Sequence, residues 1–312
     1  MFTIFGIFAK LTGVYFEQTV ARPVSVSGVG LHHGVSVNIK IRPAPAGTGI
    51  VFLRTDLRNF PLPASWQHVA RVSYATSLMR QGVLISTTEH LLSVLYSSGI
   101  DNCWIDIDNL EVPILDGSGM PFVKLLREAG IVQQKRRRRY LRVRKSVTHV
   151  HGDKRITLLP ADNFSLHCDI YFPHHLVGRQ TMEIDLTPEN YASEIAPART
   201  FGFEHELDAM RDMGLIRGAT LDNAVCFTPD KVLNIGGLRF PDEPCRHKIL
   251  DLIGDLALIG RPLLGRVIAE RAGHAMHAAL VSRLMQDSSL YEVFTMEEPV
   301  MAARACATSL TY

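Results

Sequence analysis

The run from Arg239 to His274, R-F-P-D-E-P-C-R-H-K-I-L-D-L-I-G-D-L-A-L-I-G-R-P-L-L-G-R-V-I-A-E-R-A-G-H, constrains the fold more than any other stretch. Asp242 offers a short acceptor side chain and Pro244 a ring already set to helical φ, which together predict a helix start. Ile249, Leu250, Ile253, Leu256 and Ala257 follow at helical period, and Gly260 with Pro262 ends the pattern. His247, Asp251 and Asp255 recur every fourth residue and so stack along one face. A neutral imidazole and a carboxylate one turn apart can hold a metal ion. The same spacing describes a solvated polar stripe on an amphipathic helix, and this helix alone does not decide between the two.

Composition narrows the classes. A chain of 312 residues predicts two domains, each large enough for its own core. A net charge of +2 puts no whole-protein field behind nucleic-acid binding. Five scattered cysteines without a C-x-x-C argue against a disulfide framework and fit a reducing cytoplasm. Nowhere do about 18 apolar residues run without a charge, so no membrane span is expected. The start, M-F-T-I-F-G-I-F-A-K, is apolar without a basic stretch before it. It reads as an extension, with an interfacial or targeting segment as the alternative.

Alternation at Val35, Val37, Ile39 and Ile41 predicts a strand within a two-strand unit over residues 24–42, and residues 50–54 begin another. Thr88 before Glu89 suits a helix N-terminus, with L-L-S-V-L-Y behind it and Gly99 as its stop. Residues 102–108 alternate as a strand, 112–119 form a Gly-rich loop and 121–129 a helix. The composition changes at V-Q-Q-K-R-R-R-R, where a basic linker is expected over residues 135–139. Beyond it come strands over 140–150, 155–160 and 164–171 and a short helix over 188–194. A helix over 206–213, a short strand at Leu215 and Ile216, and a strand over 223–227 follow. A strand over 263–270 and a helix over 275–285 close the pattern, and the tail from 287 has weak periodicity.

The two halves rhyme. A helix carrying His90 leads through Gly99 to a strand, and a helix carrying His247 leads through Gly260 to another. The expectation is an α+β chain of two similar domains, each a sheet with helices on one face. Residues 1–18 would be an extension, 19–134 the first domain, 140–286 the second and 287–312 the tail.

If facing helices bring His90 to His247 and Asp251, two nitrogens and one carboxylate suit Zn²⁺ with a fourth position open to water. Glu89, beside His90, could then act as general base. His274 is the candidate acid, Asp255 the group that orients it, and Thr200 a donor to the developing oxyanion. Lys248 would add a positive charge beside the metal. Each residue also has a plainer reading: Glu89 as a helix N-terminal acid, Thr200 as a cap, Asp255 on a solvated face. With thirteen histidines in the chain, chance spacing is a real competitor.

The motifs taken together go further. S-T-T-E-H-L-L-S-V-L (86–95), G-I-D-N (99–102), L-D-G-S-G-M-P-F-V (115–123), A-R-T-F-G-F (198–203), R-H-K-I-L-D-L-I-G-D-L (246–256) and A-G-H (272–274) closely resemble the UDP-3-O-acyl-N-acetylglucosamine deacetylase family. So do G-V-G-L-H-H-G (28–34) and R-P-A-P-A-G-T-G (42–49), in order over roughly residues 20–285. The resemblance implies a zinc amidase that removes the N-acetyl group of a UDP-linked, 3-O-acylated N-acetylglucosamine, the committed step of lipid A synthesis in Gram-negative bacteria. It implies His90, His247 and Asp251 as ligands of one Zn²⁺, Glu89 as base, His274 as acid with Asp255 beside it, and Thr200 at the oxyanion. It implies Phe201, Lys248 and Arg144 as substrate contacts, with Arg144 at the diphosphate. It implies helices packed between two sheets and a βαβ insert over about 203–221 whose Leu215 and Gly218 line an acyl passage.

The expected partner is therefore the UDP-linked acylated amino sugar, with no nucleic acid, no membrane span, peripheral contact with the inner leaflet, and a cytoplasmic monomer. The rival readings are a non-catalytic protein whose basic run contacts nucleic acid, and a zinc hydrolase of another acylated amino sugar. Glu204-His205-Glu206 is more charged than the family pattern leads one to expect there.

Overall fold

The computed structural model describes residues 14–297. In the first half these are β1 (Phe16–Val20), β2 (Val24–Val29), β3 (Ser36–Pro43), β4 (Ile50–Arg54), β5 (Phe60–Pro63), β6 (Val69–Arg71), β7 (Ser77–Arg80), β8 (Val83–Ile85), α1 (Glu89–Ser97), β9 (Cys103–Ile107), α2 (Met120–Ala129) and β10 (Ile131–Arg137). The second half holds β11 (Arg139–Val143), β12 (Val147–His151), β13 (Lys154–Leu159), β14 (Phe164–Phe172), β15 (Gly178–Asp185), α3 (Pro188–Asn190), β16 (Phe201–Phe203), α4 (Leu207–Asp212), β17 (Val225–Phe227), α5 (Glu243–Leu256), β18 (Leu263–Glu270), α6 (His274–Gln286) and β19 (Tyr291–Thr295). This is an α+β fold.

One sheet has the order β2-β3-β9-β4-β5, and a larger one runs β12-β13-β18-β11-β19 with β14 and β15 attached through β18. In each, the strand after a site-bearing helix takes an inner place and makes parallel pairs. β9, after α1, lies parallel to β4, and β18, after α5, lies parallel to β11 and β14. Parallel neighbours need a crossover, and the helix supplies it. That puts α1 and α5 against each other, while α5 packs on β14 and α6 on β12 and β13.

The contact between α1 and α5 is close because Gly254 has no side chain. A Cβ there would stand 2.1 Å from the Glu89 carbonyl oxygen. Twelve of the 14 residues of α5 are buried, so the His247–Asp251–Asp255 stripe is not a solvated face. Only Arg246 and Lys248 of this helix keep partial exposure.

Several local expectations change. Asp242 does not cap α5; its Oδ1 accepts from Arg246 Nε at 2.7 Å, one turn on. Thr88 does not cap α1 either, because its hydroxyl donates to the Thr76 carbonyl at 3.1 Å. The basic run is not an irregular linker. Its residues lie in β10, antiparallel to β1, and at the start of β11, with Arg138 between the two strands. Here alternation does the sorting: Gln134 donates to the Ala44 carbonyl and Arg136 meets Glu17, while Lys135 remains exposed. β1 starts at Phe16, inside the stretch read as an extension; residues 1–13 lie outside those described.

Leu215 and Ile216 form a turn-rich loop instead of a strand, and the parallel β16–β17 crossover extends over residues 201–227. β15 had no reading in the sequence, since R-Q-T-M-E-I-D has few apolar residues and pairs only with β14. Within the tail, β19 pairs with β11 through five residues; residues 298–312 lie outside those described.

Candidate active site

The floor of the site is made by the two facing helices. His90 comes from the first turn of α1, and His247 and Asp251 from successive turns of α5. One ligand atom from each lies within 4.8 Å of the others, and all three residues are buried. His247 Nδ1 faces the Ala198 carbonyl at 3.1 Å, which fixes the proton there and turns Nε2 towards Asp251 Oδ1 at 3.4 Å. His90 Nε2 is 3.8 Å from the same oxygen. Burial, reinforced by His247, lowers the His90 pKa to about 3, and burial lowers that of His247. Burial also opposes the Asp251 charge, but Lys248 and the histidines outweigh it and hold this carboxyl well below its usual range. Lys248 Nζ donates to Asp251 Oδ2 at 2.7 Å. Two neutral imidazoles and an ionised carboxylate are the donor set a catalytic Zn²⁺ takes. These residues fit the ion.

Glu89 stands beside them. A carboxylate oxygen of Glu89, one of Asp251 and a ring nitrogen of His274 also lie within 4.8 Å of one another. Burial pushes the Glu89 carboxyl up to about 8, against the pull of His274. His274, at the start of α6, reaches in from the far side. Its Nδ1 meets Asp255 Oδ2 at 2.7 Å, and Asp255 overcomes the cost of burial and holds the imidazole up at about 9.

Thr200 is set by its neighbours. Arg199 donates from its backbone and guanidinium to Glu243 at the start of α5. The Thr200 N–H then donates to the Gly117 carbonyl at 2.8 Å. Gly117 must be glycine: its φ is +83°, and a Cβ would lie 2.1 Å from the Asn223 carbonyl.

Glu89, His90, Thr200, His247, Asp251 and His274 line a cleft of about 600 Å³ with Lys248, Phe201 and Lys154. A second cavity of about 330 Å³ shares Leu31, Tyr74, Thr200 and Phe201 with it. Its other walls include Leu207, Met210, Ile216, Ala219 and Leu233 from the crossover and the chain beyond it.

Three expected substrate contacts fall elsewhere. Arg144 lines neither cavity; it is half-exposed and pairs with Glu292 at 3.4 Å. The cation of that region that borders the cleft is Lys154, at the turn of the β12–β13 hairpin, with His149 and His151. Leu215 also lines neither cavity, and its neighbour Ile216 does. Gly218 seats the crossover on the first half: a Cβ there would be 2.2 Å from the Gly30 carbonyl.

Sequence reasoning missed Thr76 and His277. The Thr76 N–H donates to Glu89 Oε2 at 3.0 Å, and its hydroxyl donates to Asp255 Oδ1 at 2.5 Å. Nothing local marks Thr76. His277 contacts Asp255 Oδ2 at 2.8 Å, and its position three residues after His274 on one helix face was a usable signal. Glu111, fully buried, accepts from the His32 and His33 backbone and from the Thr87 hydroxyl, anchoring the cleft wall to the entry of α1.

The family model described as LpxC: UDP-3-O-acyl N-acetylglycosamine deacetylase matches residues 17–286. A curated UDP-3-O-acyl-N-acetylglucosamine deacetylase of Solibacter usitatus is 68% identical over 283 residues, 91% of this chain and 96% of that protein. The protein of the same name from Myxococcus xanthus is 45% identical over 280 residues, 89% of each chain. The chain belongs to the UDP-3-O-acyl N-acetylglycosamine deacetylase family.

Proposed function

We propose that the cleft hydrolyses the acetamide of UDP-3-O-acyl-N-acetylglucosamine, an early step of lipid A synthesis, releasing acetate and a free amine, with Glu89 as base and His274 as acid. The enzyme is a zinc-dependent deacetylase. His90, His247 and Asp251 would hold the zinc, which when bound would supply Lewis-acid polarisation and lower the pKa of water. The observation that carries the reading is a pair of buried triads that share Asp251, His90–His247–Asp251 and Glu89–Asp251–His274, in a cleft that has a wall in common with an apolar cavity.

The protein's own groups divide the proton work. Glu89 accepts the proton that water loses as it attacks the carbonyl carbon. His274 enters charged and delivers its proton to the departing nitrogen. Asp255 holds that imidazolium in place, and Thr76 and His277 saturate Asp255 so that its orientation is set before substrate arrives. Thr200 donates to the oxygen on which charge develops. Thr76 is a positioning residue: it touches Glu89 with its backbone and Asp255 with its side chain. Lys248 and Phe201 border the sugar, and we assign the diphosphate to Lys154 in place of Arg144. The acyl chain takes the apolar cavity. We place the enzyme in the cytoplasm, where nucleotide sugars are made, and read it as a monomer.

The test is deacetylation of the UDP-linked 3-O-acylated substrate beside unacylated UDP-N-acetylglucosamine, before and after chelation and zinc return. The expected result is chelator-sensitive turnover that zinc restores and that needs the acyl chain. Equal turnover of both substrates would sink the cavity assignment. Bound zinc without turnover of either would sink the substrate.

A further inference from the structure

His32 is buried, 4% exposed, in the wall common to the cleft and the apolar cavity, and it lines both. Its backbone is held on each side. The N–H donates to Glu111 Oε1 at 2.9 Å, and the carbonyl accepts from the Arg217 N–H at 3.1 Å. The Leu31 carbonyl beside it accepts from the Gly218 N–H at 3.0 Å, so the crossover and the first half grip this segment between them.

The ring is treated differently. Nδ1 and Nε2 are both buried, and neither has a hydrogen-bond partner among the described residues. The next ring in the chain gives the contrast. The His33 side chain is 39% exposed, yet its Nδ1 meets Glu111 Oε2 at 2.8 Å. Folding pairs the ring that water can reach and leaves bare the one that water cannot. Buried polar atoms are nearly always paired, so a bare ring held still in a cavity wall points to a group that arrives from outside. Burial lowers the His32 pKa, against Glu111 and the nearby Tyr74 backbone, and the ring is uncharged at neutral pH. A neutral imidazole donates from one nitrogen and accepts at the other.

Given the deacetylase reading above, on which this assignment rests, the substrate supplies the group. The acetamide and the 3-O-ester stand on adjacent carbons of the sugar. With the acetamide beside Glu89 and Asp251, the ester lies where the cleft opens into the cavity. An ester carbonyl oxygen only accepts, so it needs a donor. Leu31, Phe201 and Gly202 of the shared wall have no donor side chain, and a Glu206 carboxylate only accepts. Thr200 is committed to the acetamide oxygen, and Tyr74 is 53% exposed. We propose that the His32 imidazole donates a hydrogen bond to the carbonyl of the 3-O-acyl ester, so that the enzyme reads how the chain is linked as well as how long it is.

The experiment compares two UDP-linked N-acetylglucosamines on the zinc-loaded full chain. One carries a 3-O-acyl ester, and the other a 3-O-alkyl ether of the same length, which keeps the chain and lacks the carbonyl. The expected kcat/KM is about tenfold higher for the ester. His32→Leu should lose about tenfold on the ester and no more than about twofold on the ether, so that the preference disappears. His32→Gln keeps an N–H donor and should retain part of it. Thermal melting checks the fold of each variant, and the two substrates on the unaltered chain need no variant at all. Equal turnover of ester and ether by the unaltered chain overturns the proposal and leaves the deacetylase reading standing. An equal fold-loss on both substrates in His32→Leu also overturns it, and makes the ring a packing element. Turnover of neither substrate by the unaltered chain overturns the deacetylase reading, and this assignment with it.

Discussion

The cleft and the apolar cavity share a wall and are built in opposite ways. The cleft rests on two nearly wholly buried helices that touch at Gly254, and most of its buried polar groups have partners within the protein. The cavity is walled by a short crossover of α4 and loops, with apolar side chains such as Ala219, Ile216 and Met210. The difference teaches where tolerance lies. A preorganised polar site loses function with any missing partner, because the group left behind is buried and unpaired. An apolar wall changes which chain fits before it changes whether chemistry happens.

Five substitutions test that contrast, from the largest expected effect to the smallest. His247→Ala removes a proposed ligand and leaves the Ala198 carbonyl without its partner. Metal analysis should find zinc lost, with turnover down by at least about 10³-fold. Full zinc occupancy in this variant would break the ligand assignment. Glu89→Ala should keep its zinc yet lose about 10²-fold or more in kcat. Normal turnover would remove Glu89 as base.

Asp255→Asn is read through pH. The His274 pKa is raised, to about 9, so its proton is present at neutral pH and is lost as pH climbs through that value. Without the Asp255 charge the alkaline fall in kcat should come about 1–2 units lower. An unmoved limb would detach His274 from the acid role. Thr76→Val keeps the backbone donor to Glu89 and deletes the hydroxyl on Asp255. The loss should be about tenfold, in kcat and not KM, and Thr76→Ser should restore it. A change confined to KM would contradict positioning. Ala219→Phe narrows the cavity and should lower kcat/KM severalfold for long acyl chains while sparing short ones. An equal loss across chain lengths would move the acyl chain elsewhere.

Parts of this were legible in the chain itself. The four-residue spacing placed His247, Asp251 and Asp255 on one face, since helical period is a local property. Both parallel central strands and their preceding helices could be read from period and from the glycines that stop them. The motifs carried His90, Glu89, His274 and Thr200. Illegible were the features set by partners distant in sequence. The caps at Thr88 and Asp242 failed because Thr76 and Arg246 offered those side chains other partners. Arg144 is the cation to which the resemblance points, whereas the β12–β13 hairpin puts Lys154 at the cleft. β15 and β19 carry weak alternation because each lies at a sheet edge and packs little.

The sequence by itself determined the helix that bears the stripe, the residue types able to hold zinc, and the family. It did so because local periodicity and a fixed set of motifs need no knowledge of the rest of the chain. Tertiary structure decided that the stripe is buried, that α1 crosses α5 at Gly254, and that Thr76 ties Glu89 to Asp255. Those facts depend on which surfaces meet, and close packing of two helices settles that through atoms far apart in the chain.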